Sequence, residues 1–447
     1  MHNYYIKGAT IVNENKVFKG HVLVSEGYIK EISEIPFNIE SLKDYSVINA
    51  EKLYLFPGII DDQVHFREPG LSHKADIYSE SKAAVAGGIT SYMEMPNTKP
   101  PAITHELIEE KFTLAAEKSL ANFSFYLGAT NNNIETLLNA DKNRICGIKV
   151  FMGSSTGNML VDNEDTLSTL FKKSPLLIAV HCEEESIIRK NTAYYLNQFG
   201  EQTSIKYHSL IRSEEACYTS SKKAVDLAKK YNTRLHLLHV STAKELSLLN
   251  NNPIKEKIIT SEVCIHHLWF SDEDYEKYGN RIKWNPAIKT KNDRESLRNA
   301  LNNGTLDILA TDHAPHTIEE KSLNYFQAPS GGPLVQHSLT AMLEMYHQGL
   351  FTLEKIAEKM CHAPAEVFSI KKRGYLRKGY FADMVLVDLN DPWEVTPGNI
   401  LYKCKWSPFE GTTFQSKIIT TFVNGILVYD NGIFNERIKG KSLEFSR

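Results

Sequence analysis

Between about Leu55 and about Lys372 the chain alternates short apolar runs of β type with amphipathic stretches, the pattern of successive parallel βα units. Eight such runs can be counted, ending near Val64, Met95, Gly128, Phe151, His181, His239, Val263 and Asp312. Eight strands are what a closed (β/α)8 barrel of the TIM type needs, and about 250 residues suffice to build one. With 447 residues the chain has room for a second, smaller unit. Residues 1–55 read as short strands (YYIKGATIV, KGHVLVSEG, YIKEIS) separated by Asn, Gly and Ser turn signals, with no long helical period. After Lys372 the text is strand-like again: YFADMVLVD alternates, and FVNGILVYD carries an Asn424-Gly425 hairpin signal. The expected fold class is therefore α/β. A (β/α)8 barrel over 56–372 is joined to a small β-sandwich domain formed by both termini, 1–55 and 373–447.

Composition narrows the classes of function. A formal net charge of -3 with 23% charged residues gives no basic excess for nucleic acid or an anionic membrane. The longest apolar runs, such as Leu53 to Ile60, fall far short of the roughly 18 residues needed to span a bilayer. The opening MHNYYIKGAT lacks a basic-then-apolar signal layout, so the cytoplasm is the expected location. Six cysteines are scattered without a C-x-x-C pair, which suggests neither a disulfide framework nor a thiolate zinc site.

The side chains able to bind metal fall at the ends of the apolar runs. The first run ends in DDQVHFREPG, placing Gln63 and His65 two apart and hence on one side of a strand. GIKVFMG carries Lys149, IAVHCEEES His181, LHLLHVST His239, and DILATDHAPH Asp312, His313 and His316. Catalytic groups of such barrels come from the C-terminal ends of several strands, so this distribution reads as an active site. A lysine inside an apolar strand is costly as an unpaired ammonium. Lys149 therefore either meets an unseen carboxylate or, with a lowered pKa, reacts with carbon dioxide to form a carbamate, an anionic ligand able to bridge two metal ions.

These motifs resemble the amidohydrolase superfamily and, within it, the class I dihydroorotases, over almost the full chain. They are D-x-Q-x-H-x-REPG at Asp61 to Gly70, MPNT at Met95 to Thr98, the Lys149 segment, His181, HVST at His239, TDHAPH at Thr311 to His316, and GYFADMVLVD near the C-terminus. The resemblance implies a binuclear centre of two Zn2+ per subunit. One ion would be held by Gln63, His65, the Lys149 carbamate and Asp312, the other by the same carbamate with His181 and His239. Asp312 would be the catalytic proton carrier. It also implies substrate contacts from Arg67, Asn97, Asn285 and His316, and reversible cyclisation of N-carbamoyl-L-aspartate to L-dihydroorotate in pyrimidine synthesis.

Arg67 is the discriminating residue, because allantoinase-like and dihydropyrimidinase-like relatives usually lack an arginine after the histidine pair. Its bland reading is an ion pair with Glu68; those of Asn97 and Asn285 are turn residues. Ala328 to Gln336 reads as a flexible glycine-rich stretch, either a plain loop or a source of backbone contacts. His266 and His267 have family counterparts with no derivable role. Gln63 departs from the family's histidine pair, and an amide oxygen is a weaker zinc donor than imidazole, so the first metal site is expected to be the weaker one. The expected partner is a small-molecule substrate, with no nucleic acid and no membrane; a homodimer is possible. Two rivals remain: the same chemistry on another cyclic amide, and an inactive homologue serving as a structural partner of aspartate transcarbamoylase.

Overall fold

The computed structural model describes residues 3–38, 40, 42–153 and 159–447. Eight parallel strands form its centre: β1 Ile59–Val64, β2 Ile89–Glu94, β3 Asn122–Gly128, β4 Gly147–Phe151, β5 Ile178–His181, β6 Leu235–Leu237, β7 Ile259–Cys264 and β8 Ile308–Ala310. They pair in sequence order from β1 to β8. A parallel bridge between Val64 and His313, with the His65 amide donating to the His313 carbonyl at 2.7 Å, joins the last segment to the first. Asp61 reinforces the closure by accepting from the Thr311 hydroxyl at 2.6 Å. Every residue of the eight strands is buried, as expected where helices cover the outside and side chains fill the inside. This explains why the strands read as apolar runs, and why the polar residues within them stand out.

The helices between strands start and stop on local signals. Ile77–Ala86 opens with a capping box in which Asp76 and Ser79 satisfy each other's backbone amides. Glu214–Tyr231 starts on Ser213 and ends on Asn232 in a left-handed conformation. Glu214, exposed in the first turn of that helix, is a helix-face residue.

Strands from both ends of the chain make a separate nine-stranded sheet. Its main path runs Ile433–Phe434, Ile426–Asp430, Lys417–Val423, Met384–Asp388, Tyr54–Pro57, Asn3–Asn13, Lys16–Ser25 and Tyr28–Ser33, and Tyr45–Asn49 branches from Asn3–Asn13. Its core includes Ile6, Ile11, Val22, Leu55, Met384, Leu386 and Phe422. The Asn424-Gly425 turn closes a hairpin with φ of 52° and 73°, the doubly left-handed geometry its sequence suggests. No helix among the described residues is long and apolar enough to cross a membrane.

Candidate active site

At the C-terminal ends of the barrel strands lies a cavity of about 260 Å3, lined by Gln63, His65, Arg67, Asn97, Lys149, His181, His239, Asn285, Asp312 and His316. All ten positions singled out from the sequence therefore share one space. Phe151, Trp284, Ala314 and the segment from Pro329 to Gly331 complete its wall. His313, although adjacent to Asp312, turns away: its Nε2 meets Glu80 at 2.9 Å, and its Nδ1 takes the Leu334 amide. Arg67, His239 and Asp312 all adopt positive φ, at 68°, 41° and 48°. Three such non-glycine residues in one pocket mark a place where the backbone is held in a costly conformation to aim side chains.

The histidines are oriented for lone-pair donation. His181 Nε2 lies 3.0 Å from Glu183 Oε2, which can only accept, so the proton sits on Nε2 and Nδ1 faces the cavity with a lone pair. Burial opposes the charge of Glu183, yet Arg212 and then His181 pull its carboxyl down to about 2. His239 Nε2 stands 2.9 Å from that lone pair, and its Nδ1 is buried without a hydrogen bond. Burial lowers the pKa of both rings, keeping them neutral. On the other side, His65 Nδ1 gives its proton to Asn97 Oδ1 at 2.8 Å, which turns the Nε2 lone pair toward Asp312 Oδ1 at 3.2 Å. In that tautomer the Nε2 lone pair and the Asp312 oxygen can both face one cation; in the other, Nε2 donates to Asp312. Gln63 reaches the same Asp312 oxygen at 3.2 Å through its amide nitrogen, so flipping the amide would present its oxygen instead.

Lys149 is 1% exposed, and its Nζ lies over the Phe151 ring, 4.5 Å from the centroid. No carboxylate within ion-pair distance is found for it among the described residues, so the bland reading of Lys149 lacks its partner. Burial brings the amine down to about 7, so a substantial share is unprotonated near neutrality, the form that carbamate formation requires.

Arg67 is buried and lines the same cavity. Its Nε donates to the Pro315 carbonyl at 3.1 Å and its Nη2 faces His316 Nε2 at 3.1 Å. Glu68 is engaged elsewhere, by Lys118 at 2.5 Å and the Ile77 amide, so it does not neutralise Arg67. Burial lowers the guanidinium to about 10, still fully charged at neutral pH. Asn285 adds a buried Oδ1 without a hydrogen bond.

The segment from Ala328 onward is not a slack loop. Lys321 Nζ donates to the carbonyls of Pro329 at 2.9 Å and Gly331 at 2.8 Å, and Lys283 Nζ to those of Tyr325 and Ala328. Gly331, at φ 123°, passes so close to Ala314 that an added Cβ would lie 2.4 Å from its carbonyl oxygen. His266 stacks on Trp284 at 4.4 Å, and His267 Nε2 meets the Pro286 carbonyl at 3.2 Å. The two histidines thus buttress the turn that carries Asn285. Glu183, Trp284 and the two buried lysines were not picked out from the sequence. Glu183 alone left a signal there, two residues beyond His181.

A family model, described as the amidohydrolase family, matches residues 54–428. The chain belongs to the amidohydrolase family. Members of this family are typically metal-dependent. A dihydroorotase of Methanosarcina acetivorans is 32% identical over 422 residues, covering 92% of this chain and 89% of the relative. One from Methanosphaera stadtmanae is 29% identical over 437 residues, covering 97% and 98%. Among solved structures, an L-hydantoinase (dihydropyrimidinase) from Arthrobacter aurescens superposes with a TM-score of 0.93 at 25% identity, covering 99% of this chain and all of that one.

Proposed function

We propose that this chain is a dihydroorotase, interconverting L-dihydroorotate and N-carbamoyl-L-aspartate. The observation that carries the reading is Arg67: a buried guanidinium facing the cavity, with no carboxylate of the described residues within ion-pair distance. A buried charge of this kind calls for an anionic ligand, and the planar fork of arginine suits a carboxylate. Dihydroorotate carries one; the hydantoin and dihydropyrimidine rings are neutral.

The neutral, oriented histidines, Asp312 and the deprotonatable Lys149 fit divalent ions. Gln63, His65, Lys149 as its carbamate, and Asp312 would hold one Zn2+, and the carbamate with His181 and His239 a second. Bound ions would polarise the amide carbonyl and make water acidic enough to serve as nucleophile near neutral pH.

The chain's own residues do the rest. Arg67, with Asn97 and His316 beside it, fixes the substrate carboxylate and so sets the ring amide against Asp312. In hydrolysis a C–O bond forms at the ring carbonyl carbon, the ring C–N bond breaks, and Asp312 carries the proton from water to the leaving nitrogen. Ring closure runs the same steps backwards. Turnover of dihydroorotate, hydantoin and dihydrouracil by the purified protein is the test. Faster turnover of either neutral ring would sink the reading, and inactivity of fully metal-loaded protein toward all three would favour the structural homologue.

A further inference from the structure

A second cluster lies on the barrel strands, nearer their N-terminal ends than Gln63 and His239. Asp62 on β1, His236 on β6 and Glu262 on β7 are fully buried, with ligand-capable atoms all within 4.8 Å of one another. His236 Nε2 is 3.3 Å from Asp62 Oδ2 and 3.4 Å from Glu262 Oε2. Charge-assisted hydrogen bonds settle at about 2.7–2.9 Å. Ligand atoms of a four-coordinate ion with bonds of about 2.0–2.1 Å are separated by about 3.3–3.4 Å.

The surroundings agree with that spacing. His236 Nδ1 is held by the Thr260 hydroxyl at 2.8 Å, which aims Nε2 at the two carboxylates, as the outer partner of a metal-ligating histidine does. Neither Asp62 oxygen accepts a hydrogen bond, although both are buried. The nearby Tyr126 hydroxyl bonds the Asp62 backbone carbonyl instead. A divalent ion with a neutral imidazole would balance the charges of both carboxylates.

We propose that Asp62, His236 and Glu262 form a buried site for a Zn2+-type divalent cation, distinct from the pocket centre. The imidazole argues against Ca2+ and Mg2+, which take oxygen ligands, and a mixed nitrogen and oxygen set suits a first-row transition ion. The role is positional. Glu262 Oε1 accepts the His239 backbone amide at 3.0 Å, so an ion fixing Glu262 also steadies His239 in its left-handed conformation.

The test is metal content, measured by elemental mass spectrometry on full-length protein loaded with Zn2+ and freed of unbound metal. Asp62→Asn, which keeps the side chain's size, should hold one equivalent less than the parent, and His236→Gln likewise. A variant stripped of pocket ligands, Lys149→Ala with His181→Ala, should still hold one equivalent and lose it when Asp62→Asn is added. With Co2+ in place of Zn2+, the visible absorption of a four-coordinate ion should follow the same pattern. Asp62→Asn binding as much metal as the parent would overturn the proposal. A pocket-stripped variant that retains the parent's full content would instead count against the pocket ligands, so the two failures are distinguishable.

Discussion

At the residue scale the pocket separates binding from chemistry. On the proposed reading Arg67 holds the substrate carboxylate before and during reaction, so Arg67→Met should raise KM for dihydroorotate with a smaller fall in kcat. Charge-assisted bonds of about 1.5–3 kcal/mol correspond to roughly 10- to 100-fold in kcat/KM. Arg67→Lys should recover little, because an ammonium lacks the planar fork. An unchanged KM in both variants would remove Arg67 as the anchor. Asp312→Asn should instead cut kcat by about 10²–10⁴-fold, with the circular dichroism spectrum of the folded parent retained. If Gln63 lies at the first metal position as proposed, Gln63→His should slow loss of the more labile metal to a chelator, since imidazole is the better zinc donor. Equal loss from parent and variant would mean that this position has no bearing on affinity. None of these roles needed the structure to be suspected, but orientation did. That Asn97 holds His65, that Glu183 holds His181, and that Glu68 is occupied by Lys118 are facts of three-dimensional pairing that spacing along a chain does not encode.

At the element scale, seven of the eight strands, all but β3, or the segments that follow them deliver the cavity lining. β6 stops at Leu237, and His239 lies two residues past it with its backbone reversed to positive φ. The alternation was legible because a closed barrel buries both faces of every strand, leaving long apolar runs with conspicuous polar exceptions. The wall from Ala328 to Gly331 was not legible, since glycine and proline mark a bend without saying whether anything ties it down. Two buried lysines do, by donating to main-chain carbonyls that have no strand partner. Lys321→Met should leave the Pro329 and Gly331 carbonyls short of donors, at about 1–3 kcal/mol for each buried unsatisfied group. The expected readout is a rise in KM together with new protease cleavage between Tyr325 and Gly332. Cleavage and KM identical to the parent would show that the wall is held without Lys321, by Lys283 and by backbone bonds such as the Gly331 amide to the Lys283 carbonyl.

At the scale of the whole molecule, the barrel and the terminal sheet are locked by a buried polar knot. Arg373 pairs with Asp383 and donates to Asn424 Oδ1 at 2.8 Å, while Asp383 accepts the Asn424 amide at 2.7 Å. Asn424 Nδ2 then reaches Asn122 Oδ1, at the start of β3, at 2.8 Å. The sequence marks Asn424 as a turn residue; its side chain also bridges two sheets, which no local signal reveals. Both ions of the pair are 3% exposed, so removing one leaves the other buried and unpaired, at about 3–5 kcal/mol. Arg373→Met should therefore lower the urea midpoint substantially, and Arg373→Met with Asp383→Leu should recover part of the loss because no lone charge remains. Asn122 begins its strand at the end of the barrel opposite the pocket, where residues serve stability rather than catalysis. The folded fraction of Arg373→Met should accordingly keep the parent's kcat, measured in the cold where it stays native. A kcat that falls with the midpoint would mean that the terminal sheet helps to shape the active site as well as to hold the barrel.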